Sequence, residues 1–164
     1  MKTLYLLRHA KSSWDKPSLS DLQRPLLPEG IARTEKLCRF MREQNIRPGI
    51  ILCSPAVRTH ETAKLIATAT GYPSGDIHIK DPIYFGTAEQ IWDLLFEIPE
   101  SIESAMIVGH NPVLTWMANS LLGHPIDNLP TTGLAAFRFH TDQWTQLFLA
   151  AKETLFLTYP KYLP

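Results

Sequence analysis

The chain has 164 residues, enough for one domain with a buried core and too few for two of ordinary size. Charged residues make up 20%, with 16 Lys and Arg against 16 Asp and Glu, and this balance argues against a nucleic-acid partner. There is no apolar stretch of membrane-spanning length and no signal-peptide core. We therefore expect a single cytoplasmic domain over 1–164 with no membrane partner, ending in a loose tail over 159–164.

In the first half of the chain, apolar runs alternate with helical patterns. The predicted elements are a strand over 3–7, a polar loop over 11–28, a helix over 29–44, a strand over 50–53 and a helix over 55–70. Ser54 and Pro55 fit an N-cap followed by proline at the first helical position, which places Arg58 in the first turn. The loop is long for a compact domain, so we expect it to border a functional cleft.

The second half continues the alternation. Its predicted elements are a short strand over 76–80, a helix over 87–98, a strand over 105–108, a helix over 112–121 and a hairpin of strands over 134–139 and 146–151. Thr87 and Gln90 form a capping box at the start of the first of these helices. The whole pattern predicts an α/β fold, a three-layer α/β/α sandwich with a mostly parallel sheet.

Chemically active side chains stand where predicted strands end. His9 follows the first strand, His110 follows the strand over 105–108, and Arg58 lies just beyond the strand over 50–53. Since functional groups of open parallel sheets gather beyond the carboxyl ends of the strands, these side chains are expected to share one cleft. Together with Arg8, they suggest a site for an anion.

A phosphoryl group is the anion that this set of residues suits best. Arg8 and Arg58 can each hold two phosphate oxygens through a planar fork. A neutral His9 can attack phosphorus, and a protonated His110 can clamp the oxygens. Ser12 is a further candidate for binding phosphate, although its hydroxyl is equally suited to turning the loop.

Several segments resemble one known family, in the expected order and over nearly the whole chain. Similarity to the histidine phosphatase superfamily lies in Leu7–Ala10, Ser54–Thr59 and Gly109–Pro112. Similarity to its SixA-type phosphohistidine phosphatases lies in Lys11–Trp14, Asp21–Leu26 and Leu129–Gly133. The resemblance implies a phosphoglycerate-mutase-like fold and His9 as the phosphorylated nucleophile. It also implies that the phosphate pocket consists of Arg8, Arg58 and His110.

The general acid is less evident. Many members of the superfamily carry a carboxylic acid in an inserted segment, and this chain has little room for that insertion. Asp21, Glu89 or no residue at all can be considered for the role. Phosphohistidine expels an imidazole, which protonates near neutral pH, so a missing acid favours cleavage of P–N bonds on a phosphohistidine-bearing protein domain.

Other functions are compatible with parts of the pattern. They are a phosphomonoesterase acting on a small phosphorylated substrate, a non-catalytic phosphoprotein-binding module, a mutase, and a metal-dependent hydrolase. A metal site would need His9, His110 and Asp21, whose spacing is poor, so we expect neither metal nor cofactor. Asp21 and Arg24 are interpreted as a pair that braces the loop, and Trp14 is expected at the mouth of the cleft.

Overall fold

The computed structural model describes all residues from 1 to 164, and six strands form a single sheet in the order β3-β2-β4-β1-β5-β6. The strands are β1 (Lys2–Arg8), β2 (Ile50–Cys53), β3 (His78–Ile79), β4 (Ser104–Gly109), β5 (Leu134–Phe139) and β6 (Lys152–Thr158). Strands β3, β2, β4 and β1 are parallel, and β5 and β6 complete the sheet as antiparallel strands. The predicted α/β fold with a mostly parallel sheet is confirmed.

The helices cover both faces of the sheet. They are α1 (Pro28–Glu43), α2 (Val57–Thr70), α3 (Pro82–Phe85), α4 (Ala88–Phe96) and α5 (Val113–Asn119). Because side chains alternate along a strand, Leu4 and Leu6 of β1 pack on the side of α4 and α5, whereas Leu7 packs on the side of α1 and α2. The result is a three-layer sandwich, and none of its helices has the length and apolarity needed to cross a bilayer.

The end of the chain differs from expectation. The last strand was predicted over 146–151, but β6 begins at Lys152, which pairs with Phe139. The segment before β6 contains a short 3-10 helix, Trp144–Gln146, in which Trp144 is completely buried and its indole Nε1 donates to the carbonyl of Ile102 at 2.9 Å. The expected loose tail contains a short 3-10 helix, Pro160–Tyr162, in which Pro160 is buried.

The long loop after β1 is closed on itself and held against α1. Its two ends meet where the Leu27 amide donates to the Lys11 carbonyl at 2.9 Å, next to an antiparallel bridge between Ser12 and Leu26. Gly30 in the first turn of α1 approaches so closely that a Cβ atom there would collide with the Lys11 carbonyl. This contact fixes the segment that directly follows His9.

Gly30→Ala is therefore expected to lower the free energy of unfolding by about 1–3 kcal/mol, the usual cost of forcing atoms into a packed region. The expectation is specific because alanine in an unhindered helix is more favourable than glycine by about 1 kcal/mol. Urea unfolding at pH 7 measures the difference. Gly75→Ala is the matched control, since a Cβ there meets nothing within 4 Å. Equal stability of the Gly30 variant and the wild type would contradict the assigned contact.

Candidate active site

Three neighbouring parallel strands bring the predicted side chains to one edge of the sheet. Arg8 of β1 pairs with Gly109 of β4, so the next residue on each strand is a histidine. The ring centroids of His9 and His110 lie 5.2 Å apart. β2 ends beside them and leads into α2, whose second residue is Arg58. The structure thus brings together the four residues that the sequence singles out.

These side chains line a cleft of about 420 Å³. Its walls consist of Arg8, His9, Lys11, Ser12, Trp14, Asp21, Arg24, Arg58, Tyr84, His110, Asn111 and Thr131. Four of these are permanently cationic and one is a carboxylate, so the cleft attracts anions although the chain as a whole carries no net charge. The other four histidines and Glu89 lie outside it.

His9 is held as a neutral ring with one nitrogen available. Its Nδ1 donates to the carbonyl of Ala10 at 2.7 Å, which leaves the proton-free lone pair on Nε2. Burial lowers the pKa of His9 to about 4, and the nearby charges of Arg58 and Arg8 act in the same direction against the Ala10 hydrogen bond. Near neutral pH the ring is therefore uncharged, with its proton on Nδ1 and Nε2 free, which is the state a nitrogen nucleophile requires.

His110 is also neutral in the unliganded site. Its Nδ1 accepts from Nη2 of Arg58 at 3.3 Å, so Nε2 carries the proton and donates to Oγ of Ser54 at 2.8 Å. Burial lowers the pKa of His110 to about 3, with further lowering from His9 and Arg58. A bound phosphate dianion would act in the opposite direction, because negative charge favours the imidazolium. The expected protonated clamp therefore depends on the substrate.

Ser54 corrects one local prediction. It does not cap α2, which begins at Val57 with Ala56 in the N-cap position. Its hydroxyl instead accepts from the Ala56 amide at 3.2 Å and from the His110 ring, and its side chain is completely buried. Ser54 thus supports the orientation of His110, a role that the sequence does not reveal because the partner lies on another strand.

The two arginines keep part of their donor capacity unused. Arg8 donates from Nη1 to the Leu129 carbonyl at 3.0 Å, and Arg58 donates from Nη1 to the Asp21 carbonyl at 2.6 Å. The Nε–H group of each is buried and has no partner in the protein. Buried donors are almost always satisfied, so this pair fits a ligand with several acceptor oxygens, such as a phosphoryl group.

Asp21 connects the loop to the arginines. Its carboxylate accepts from Nη2 of Arg58 and Nη1 of Arg24, each at 2.9 Å, and from the Tyr84 hydroxyl at 2.6 Å. Partial burial favours the neutral acid, but these three hydrogen bonds outweigh it and hold the pKa of Asp21 well below its usual range. The predicted pair with Arg24 is present, and the contacts with Arg58 and Tyr84 go beyond it.

Ser12 and Trp14 both reach the cleft from the same loop. Oγ of Ser12 accepts from Nη2 of Arg24 at 2.6 Å, which leaves its own proton for another acceptor. The indole of Trp14 stacks on the Arg24 guanidinium, with 3.2 Å between Cζ and the ring centroid, at the expected place in the cleft wall. Tyr84 was missed because α3 is a single turn, too short for a helical pattern.

Comparisons with known proteins agree with this geometry. Residues 4–83 match the family model of the histidine phosphatase superfamily, branch 1. A chloroplastic protein from Arabidopsis thaliana, itself uncharacterized, is 33% identical over 156 residues, which cover 90% of this chain and 71% of the relative.

Solved structures extend the likeness to the whole chain. SixA from Agrobacterium tumefaciens, provisionally assigned as a phosphohistidine phosphatase, is 28% identical with a TM-score of 0.81, and the match covers 97% of this chain and 98% of that one. The protein histidine phosphatase SixA complexed with tungstate has a TM-score of 0.82 over 97% of both chains at 17% identity, a likeness of fold alone. The phosphoglycerate-mutase-like fold implied by the motifs is confirmed.

The two imidazoles are expected to stay neutral well below the usual range for histidine. In buffer free of oxyanions, the ring-proton NMR signals of His9 and His110 should not titrate between pH 8 and about 5.5, because their pKa values are about 4 and about 3. Adding tungstate should raise the pKa of His110, since the dianion stabilises the imidazolium.

Spectra of His9→Gln and His110→Gln assign the signals.

The lowered pKa values of His9 and His110 also determine how stability depends on pH. The unfolded chain takes up these protons near pH 6.5, whereas the folded chain takes them up only near pH 4 at His9 and near pH 3 at His110. The free energy of unfolding is therefore unaffected by these groups above about pH 6.5 and declines as the pH falls from there toward 3. An NMR titration midpoint near pH 6.5 for either His9 or His110, in buffer without an oxyanion, would contradict the burial of these rings.

Proposed function

The chain belongs to the histidine phosphatase superfamily, and we propose that it is a metal-independent phosphatase that hydrolyses phosphohistidine on a protein through a covalent intermediate at His9. The observation that carries this proposal is the neutral His9 ring, with its free Nε2, in a cleft shared with Arg8, Arg58 and His110. The likeness to a protein assigned as a phosphohistidine phosphatase supports the substrate class.

The reaction has two displacement steps. In the first, the substrate phosphohistidine carries a proton from solvent on its other ring nitrogen. The Nε2 lone pair of His9 attacks phosphorus, the P–N bond of the substrate breaks, and its electron pair stays on the departing imidazole, which leaves as the neutral ring. In the second, water attacks the phosphoryl group on His9, releases inorganic phosphate and gives up its proton to solvent or to the freed ring. The second step returns His9 to its starting state, and the two steps together consume only the phosphorylated substrate and water.

The cations act on the charge of the transferred group. Arg8 and Arg58 offer unpaired Nε–H groups. In the transition state, negative charge is distributed over the oxygens of the transferred phosphoryl group, and these oxygens can accept hydrogen bonds from such donors. His110 donates from Nε2 in the unliganded site and gains a proton as the dianion raises its pKa. Fixed donors of this kind stabilise the transition state because they need no reorganisation when the charge moves.

The protonation states of the carboxyl groups favour P–N cleavage. Asp21 is the one carboxylate in the cleft wall, and its three donors keep it ionised, so it has no proton to give to a leaving group. Glu89 is exposed on α4 and does not line the cleft. An imidazole with a conjugate-acid pKa near 6.5 leaves without such help, whereas a serine alkoxide benefits strongly from a positioned acid.

The proposed reaction requires neither a metal nor a cofactor, and we propose that the protein is cytoplasmic. No group of three or more His, Cys, Asp or Glu side chains is arranged to hold a metal ion, and the two arginines would repel a cation in the cleft. Cys38 and Cys53 are both buried as free thiols, which agrees with a reducing compartment.

Rapid-quench labelling with a histidine-phosphorylated protein substrate tests the nucleophile. We expect transient, acid-labile and base-stable phosphate on the peptide that contains His9. His9→Ala should abolish both the label and turnover, while tungstate binding persists because the arginines remain. Turnover with no label on His9, or a label that survives in the His9→Ala variant, would contradict the mechanism. Binding of phosphoprotein with no turnover at all would identify a binding module instead.

A comparison of leaving groups tests the substrate class. We expect kcat/KM for a histidine-phosphorylated protein to exceed that for phosphoserine peptides by about a hundredfold or more, the contribution a general acid normally makes to ester cleavage. The assay is run with and without EDTA, which should change neither rate. Faster hydrolysis of phosphoserine would overturn the P–N assignment, and loss of activity in EDTA with recovery on adding zinc or manganese would overturn metal independence.

A further inference from the structure

Two large aromatic side chains near the mouth of the cleft remain exposed. Trp14 is 76% exposed and Phe85 is 67% exposed. Trp14 lines the cleft, and Phe85 is the direct neighbour of Tyr84, which also lines it. Neither side chain has a role in the phosphoryl-transfer steps described above. Exposed aromatic surface at the edge of a charged site is typical of a place where a partner binds.

Both aromatics are supported by the hydrogen-bonded network around Asp21. Trp14 stacks on Arg24, whose guanidinium donates to Asp21, to Ser12 and, from Nε at 2.9 Å, to the Ser13 carbonyl. On the other side, Phe85 packs edge-on against Tyr84 with ring centroids 4.6 Å apart, and the Tyr84 hydroxyl donates to Asp21. Side chains held in this way lose little conformational entropy when a partner covers them.

We propose that Trp14 and Phe85 form an aromatic rim that docks the protein surface around the substrate phosphohistidine, so that the enzyme prefers a folded phosphoprotein to a small phosphorylated molecule. This inference rests on the proposed function. The rim is continuous with a cleft lined by Arg8, Arg58 and other cations, so its occupant must combine a buried anion with an apolar surface beside it.

The size of the occupant follows from the position of the two rings. They belong to two separate segments, the loop after β1 and the turn of α3. The residues that support them, Arg24 and Tyr84, both contact Asp21, which also pairs with Arg58. A phosphoryl group on one imidazole occupies the cationic part of the cleft, and only a larger molecule also covers aromatic groups on both of these segments. A protein domain with apolar residues around its histidine meets both requirements.

The test compares two substrates in matched variants. We expect the ratio of kcat/KM for a histidine-phosphorylated phosphotransfer domain to kcat/KM for free phosphohistidine to fall about tenfold in Trp14→Ala/Phe85→Ala, the loss typical of removing interface anchors. Leu149→Ala is the control, because Leu149 is 84% exposed in the loop at the other end of the sheet. Its ratio should stay within about twofold of the wild type.

Binding measured without turnover separates this inference from the proposed function. In a His9→Ala background, calorimetry with the same phosphorylated domain should show Kd raised about tenfold by the two rim substitutions and not by Leu149→Ala. An equal loss of kcat/KM for both substrates, or an unchanged kcat/KM ratio together with an unchanged Kd, would overturn the docking role of the aromatic rim. Absence of label and turnover in the wild type would overturn the proposed function, and the Kd comparison would still decide the rim.

Discussion

The pairing register between β1 and β4 is the constraint on which the site depends. Because Arg8 lies opposite Gly109, each strand delivers a histidine at the same level, and the two rings leave the sheet 5.2 Å apart. A shift of one residue would turn each side chain to the opposite face of the sheet and would bury the apolar residues of β1 on the wrong side. The hydrophobic alternation that builds the core therefore also fixes the distance between the two imidazoles.

One carboxylate offsets part of the positive charge in the cleft. Arg58 is 5% exposed, and leaving a buried guanidinium unpaired is costly. Asp21 compensates for it and at the same time pairs with Arg24. Both imidazoles stay neutral, mainly because burial lowers their pKa values and further because positive charge lies nearby. The Nε–H groups of Arg8 and Arg58 have no partner in the protein and are the donors that suit an oxyanion.

Sequence reasoning succeeded where the placement of a side chain follows from its local position along the chain. A histidine directly after an apolar strand and an arginine in the first turn of the next helix need only the rule that parallel strands end at one edge. The predicted end of the helix over 55–70 is also confirmed, since α2 ends at Thr70. Sequence reasoning failed where the position of a side chain depends on a contact with a residue distant in sequence. Ser54 has the residue type of an N-cap but contacts His110, 56 positions away.

The predicted position of the last strand, β6, was wrong for a similar reason. Residues 146–151 are mostly apolar like a strand, but the chain before them forms a short 3-10 helix in which Trp144 is buried and bonded to the Ile102 carbonyl. Pairing with β5 begins only at Lys152. The contacts of Asp21 could be predicted only in part. Its pairing with Arg24 three residues on follows from spacing, whereas its contacts with Arg58 and Tyr84 need the folded loop. Tertiary contacts of this kind leave no periodic signal.

The placement of Asp21 links the architecture of the cleft to its chemistry. A carboxyl group can act as a general acid only if it holds a proton near neutral pH, and it can anchor buried arginines only if it is ionised. In this chain the three donors around Asp21 select the second role. An ionised Asp21 has no proton to give to a leaving group. In the proposed function, the group that holds Arg58 in place thereby favours substrates whose leaving nitrogen departs without a general acid.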